Sequence, residues 1–87
     1  MANAQIGNLA VSSVNASFAL SPVVYLVTLR NVGGTTCHIN LNGAATTSHF
    51  PLDAGESIEL GLSTTSSVQA ITASGTTTLD VIGVEQW

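Results

Sequence analysis

Apolar and polar residues alternate with a period of two along most of this chain, the mark of strands with one buried face. In residues 23–31, "VVYLVTLRN", Tyr25, Val27 and Leu29 fall on one face and Val24, Leu26, Thr28 and Arg30 on the other. Gly33-Gly34 ends that run. In the following "TTCHINLNG", Cys37, Ile39 and Leu41 alternate with His38, Asn40 and Asn42. Asn42-Gly43 is a turn signal, because both residues tolerate positive φ. A polar loop over residues 44–51 leads to Phe50-Pro51-Leu52, and Ala54-Gly55 marks the next turn. Over residues 57–62, Ile58, Leu60 and Leu62 point inward and Ser57, Glu59 and Gly61 outward. After a Ser/Thr loop at 63–67 come "VQAITA", a turn at Ser74-Gly75, and "TTTLDVIGVEQW". Weaker strands are predicted at 5–11 and 16–20, the second closed by Pro22. Seven to eight short strands with regular turns predict an all-β chain: a single small antiparallel β-sandwich or jelly-roll-like barrel. Residues 1–22 read as an N-terminal arm with the first weak strands and 23–87 as the sandwich core, one domain overall.

Composition supports strands. Ser and Thr supply about a quarter of the 87 residues, Lys is absent and strong helix formers are scarce. A domain this short buries only about two-thirds of its unfolded surface and has a thin stability margin. Small scaffolds usually add a disulfide, a metal or a partner subunit. Cys37 is the only cysteine, so an intramolecular disulfide is excluded. Self-association is then the expected support.

Arg30 is the only permanent cation and the formal net charge is −4. Binding to a phosphate backbone or an anionic membrane needs several Lys or Arg, so both partners are excluded. The first twenty residues lack the basic and continuous apolar regions of a secretory signal. No segment reaches the length of a membrane span. The expectation is a chain made in a cytoplasm.

Three of the six charged residues, Asp53, Glu56 and Glu59, fall within "LDAGESIEL". Asp53 enters a turn, Glu56 leaves it and Glu59 lies on the outer face of a strand. Glu56 and Glu59, three apart, point to opposite faces if extended, which argues against a shared cation. The dense D-x-D-x-D-G run of a calcium loop is missing. Cys37 and His38 are adjacent on a strand and so face opposite ways, unlike a nucleophile and its base. Cys37 shares its face with Ile39 and Leu41 and reads as a buried thiol. His38, His49 and Asp53 fall short of the closed three- or four-ligand set zinc requires. No phosphate loop or nucleophile elbow occurs. No catalytic residue, metal or cofactor is expected.

Two features point to assembly. After Asp80 the outer face of the last strand turns apolar at Ile82 and Val84, while Leu79 and Val81 claim the inner face; Gly83 is either a bulge or a sign that both faces are covered. Val24 and Leu26 show the same ambiguity, and Trp87 adds a terminal aromatic. Val24, Leu26, Ile82, Val84 and Trp87 are the candidate interface, and His38, Asn40 and Asn42 a candidate exposed polar face. Edge strands are commonly guarded by Lys; without Lys, either bulges and prolines guard them or partners cover them.

"LRNVGGTTCHINLNG", followed by "FPLDAGESIEL" and "VQAITASGTTTLDV", resembles small accessory proteins of tailed bacteriophage virions, over roughly residues 23–82. In that group a strand ending in N-x-G precedes one ending in N-G, then an L-x-A-G-x-S turn and an A-I-x-A-S-G-T hairpin. The resemblance implies a decoration (cement) protein of the virion, bound to the major capsid protein as a homo-oligomer, often a trimer, or else a tail or fibre component. It brings no catalytic residues. The alternative is a glycan-binding or adhesion module of a tail appendage, with Tyr25 or Trp87 stacking and the His38, Asn40 and Asn42 face supplying hydrogen bonds.

Overall fold

A computed structural model describes residues 4–61 and 64–85, with residues 21–23 described through their backbone alone. Eight strands form: β1 (Ala4–Val11), β2 (Ala16–Val24), β3 (Leu26–Asn31), β4 (Cys37–Leu41), β5 (Phe50–Leu52), β6 (Ser57–Leu60), β7 (Thr65–Ile71) and β8 (Thr77–Val84). They lie in two four-stranded sheets, ordered β1-β8-β3-β6 and β2-β7-β4-β5, with every pairing antiparallel. The pairs β4–β5, β3–β6, β2–β7 and β1–β8 nest inside one another. The chain is thus one long hairpin with its tip at the β4–β5 loop, rolled so that successive rungs alternate between sheets. Further pairing of β3 with β8 and of β4 with β7 closes the roll. This is a jelly-roll sandwich, as the strand count and turn spacing predict.

The core lies between the sheets. Val11, Leu20, Val24, Val27, Leu29, Cys37, Ile39, Leu52, Val68, Ala70, Leu79 and Val81 are buried, with Leu9, Phe18, Leu41 and Ile58 packed against them. Among the described residues no phenyl ring lies fully inside it; the larger aliphatics contribute about 1.5–3 kcal/mol each. Gly7 admits the Phe18 ring, since a Cβ there would lie 2.6 Å from Phe18 Cε2.

Four departures from the sequence reading have physical causes. First, residues 23–31 are not one strand. Val24 pairs with Thr65 in the second sheet, whereas the Tyr25 N–H donates to Val84 O in the first, 2.8 Å away. The chain crosses between sheets at Tyr25, which resets the alternation: Val24, Val27 and Leu29 all face the core and Tyr25 is exposed. Second, the weak strands predicted at 5–11 and 16–20 are longer and are full members of the two sheets. β1 pairs with β8 over eight residues, and β2 runs on through Pro22 with a register shift between Ala19 and Val24. Third, of the two readings of Gly83 the bulge falls away. It pairs in unbroken register with Gln5 and Val27 and is buried, because a Cβ there would lie 2.9 Å from Val24 Cγ1. Fourth, β7 begins at Thr65, inside the predicted loop, since Thr65 is buried opposite Val24. Leu62, expected to point inward, lies outside the described residues.

Candidate functional site

"LDAGESIEL" is a corner. Gly55, at φ 82°, makes the turn, and the Glu56 N–H donates to Asp53 O at 2.9 Å. Glu56 Oε1 reaches back to accept the Asp53 N–H at 2.8 Å. Asp53 Oδ1 accepts the Thr36 hydroxyl at 2.8 Å. Glu59 points outward from β6 toward Thr28 on β3, with Thr28 Oγ1 3.4 Å from Glu59 Oε2. The three carboxylates therefore serve three separate neighbours. Asp53 ties down the β3–β4 loop.

That corner is anchored from within by Asn31, which is fully buried. Its Nδ2 donates to Thr35 O and Leu52 O, both at 2.8 Å. Its Oδ1 accepts the Thr77 hydroxyl at 2.6 Å and the Gly33 N–H at 3.2 Å. Its backbone N–H and C=O bond Glu56 O and Gly55 N. One residue joins β3, β5, β8 and two loops; it is the Asn of the N-x-G that ends the strand, a motif that shows only its nearby Gly33.

The remaining reactive groups are occupied. Cys37 is buried, and burial raises its thiol pKa above the ordinary value. His38 donates Nδ1–H to His49 O at 3.1 Å, and His49 Nδ1 accepts the Thr46 N–H at 2.8 Å, which assigns both tautomers. Asn40 Nδ2 donates to Ala44 O. Asn42, at φ 62°, accepts from Ser66 N and Ser67 N and donates to Thr64 O. The polar set His38, Asn40 and Asn42 is half-buried to exposed, and its bonds hold the long β4–β5 loop and the start of β7. Among the described residues no three His, Cys, Asp or Glu side chains are grouped to hold a metal. Where β4 and β5 face β6 lies a mostly apolar cleft of about 420 Å³ lined by Ile39, Asn40, Leu41, Phe50, Ile58 and Leu60.

Of the candidate interface residues, Val24 lies in the chain's own core and is unavailable, since it fills the space Gly83 leaves. Leu26, Ile82 and Val84 do lie together on the outer face of the first sheet. Registers place Ala4, Val84 and Leu26 in one row and Ile6, Ile82, Thr28 and Glu59 in the next. Ile6 is 74% exposed and Ile82 40%. Trp87 lies outside the described residues. Ile6 is the member that sequence reading missed. The alternation of Ile6, Asn8 and Ala10 against Leu9 and Val11 carried the signal, but not which strand would lie alongside. Beyond this patch the same face turns polar, with Asn8, Asp80, Arg30 and Ser57 in register.

No family model matches the chain, and no curated protein resembles it in sequence. Solved structures do resemble it in fold. The SPBc2 prophage-derived protein YomS superposes with a TM-score of 0.65 at 15% identity, covering 98% of this chain and 96% of that one. The structure of Bacillus endospore appendages, which form disulfide-linked pili, gives 0.59 at 10% identity, over 97% and 84%. The ethanolamine utilization protein Q of Salmonella typhimurium gives 0.56 at 9% identity. The chain covers 92% of its own length there and spans only 56% of that protein. At such identities these likenesses show the fold alone.

Proposed function

We propose that this chain is a non-enzymatic structural protein of a phage-related particle, a decoration protein that lays the outer face of its first sheet on the shell. The observation that carries this reading is the apolar patch of exposed Ala4, Ile6 and Ile82 with half-buried Leu26 and Val84, set in two adjacent cross-strand rows, the second of which ends at Glu59. Exposed apolar residues grouped on one sheet face mark an interaction surface. Supporting it, the Asp53, Glu56 and Glu59 carboxylates and one ring nitrogen of each imidazole bond within the fold, and the thiol is buried. The fold likeness to a prophage-derived protein and to an appendage pilin agrees with a structural role. The sequence resemblance to virion accessory proteins adds the shell as partner.

Such a contact works by burying apolar area, so it depends weakly on ionic strength. The test is co-sedimentation of the purified chain with phage shells assembled without it. Raising salt from about 0.1 to about 1 M shortens the screening length from about 10 to about 3 Å and should change the bound fraction less than about twofold. Ile82→Lys should abolish binding. Release by moderate salt would refute the apolar mechanism, and no binding at any salt would refute the shell as partner.

A further inference from the structure

Four strands border the sheets: β1 and β6 in the first, β2 and β5 in the second. A bordering strand offers unpaired N–H and C=O groups to any other chain unless proline, a bulge, a charge or short length blunts it. Three of the four are blunted. β2 contains Pro22 and a register shift between Ala19 and Val24. β5 has three residues, the middle one Pro51. β6 has four and carries Glu59. β1 has no such device. Its eight residues, "AQIGNLAV", contain no charge and no proline, and they pair with β8 in unbroken register from Ala4↔Val84 to Val11↔Thr77.

The geometry points to β1 as the pairing edge for β1 of a second copy, antiparallel across a two-fold axis, so that two four-stranded sheets become one of eight strands. This rests on the assembly reading above and names the partner and the edge. A second copy is the occupant because a two-fold contact uses one open edge twice. A head-to-tail contact needs a second open edge, which β2, β5 and β6 do not provide. Charge agrees. The chain carries a net −4, yet β1 itself is neutral, so self-pairing sets no like charges opposite one another. The pairing closes after two copies, where the resemblance implied three. An eight-residue pair is about 27 Å long, and a contact of that size belongs with weak, transient interfaces.

The test is mass by light scattering on the full chain over a dilution series up to on the order of 1 mM, a range suited to weak association, with amide hydrogen exchange across the same series. Mass should rise from one copy to two while β1 amides become protected. Asn8→Lys places the missing guard on the exposed side of β1 and should raise the dissociation constant at least about tenfold. Thr78→Lys, on the interior strand β8 and outside the apolar patch, should change it less than about twofold. Should Asn8→Lys fail to fold by circular dichroism, concentration-dependent protection of β1 in the native chain decides. A monomer throughout the series, growth beyond two copies, or equal dissociation by both variants overturns the proposal. So does protection of β1 that appears only on shells, since the shell protein is then the occupant. A monomer that still binds shells ends the pairing and leaves the decoration reading intact; a monomer that binds none ends both.

Discussion

Asn31 shows how much a single buried amide can hold. Replacing it by Ala strands the Thr77 hydroxyl, the Gly33 N–H and the carbonyls of Thr35 and Leu52. Each unpaired buried group costs about 1–3 kcal/mol, so Asn31→Ala should lose at least about 3 kcal/mol. In urea unfolding, a loss below that of Asn40→Ala would refute the hub. The two neighbouring glycines make a sharper pair. A Cβ on Gly33 would lie 2.8 Å from the Thr77 backbone Cα and closer still to its hydroxyl, whereas nothing lies within 4 Å of one on Gly34. Gly33→Ala should therefore be severely destabilising, and Gly34→Ala neutral or stabilising by up to about 1 kcal/mol through the unfolded chain. Equal midpoints for the two variants would contradict that geometry. Cys37 gives a pH signature. Its folded thiol pKa is raised by burial, while the unfolded thiol titrates near about 8.5. Its protonated form thus contributes fully below that pH, and the contribution is lost as pH rises toward the folded value, because the unfolded chain gives up its proton first. Stability relative to Cys37→Ala should be flat at neutral pH and decline in alkali. A flat difference up to pH about 10 would be inconsistent with burial as the cause. At this scale the burial of Cys37 was legible from its place beside Ile39. The importance of Asn31 was not, since two of its partners, Leu52 and Thr77, lie far along the chain.

The strands were readable wherever alternation continued within one sheet, as in β4 and β6. They were misread where the chain changed sheets. Tyr25 breaks the period because β2 and β3 belong to different layers, and no local property of "VVYLV" records that. The edges behave likewise. Sequence offered guarding by bulges and prolines or covering by partners as alternatives, and the structure assigns the first to β2 and β5. Pro51, opposite His38 in β5, lacks the N–H that would extend pairing outward. Pro51→Val should open this edge and raise the rate of self-association measured by light scattering, with little change in the unfolding midpoint. An unchanged association rate would show that the shortness of β5 is guard enough.

For the whole molecule, nested pairing means that the outermost rung, β1 with β8, joins the two extremes of the described chain. Loop-closure entropy must be overcome before such contacts form, so folding should take milliseconds to seconds, as for other sandwiches. Stopped-flow refolding in microseconds would contradict this. The sequence alone determined that the chain is a small all-β domain with a light core and few charges, because period-two burial and turn chemistry are local and additive along the backbone. Tertiary structure decided which strands neighbour one another. From that follow the burial of Val24 over Gly83, the row of Ile6 beside Ile82, and β1 as the unguarded border. Each depends on residues far apart in sequence meeting in a particular register, and period two constrains the face of a residue but not the identity of its neighbour.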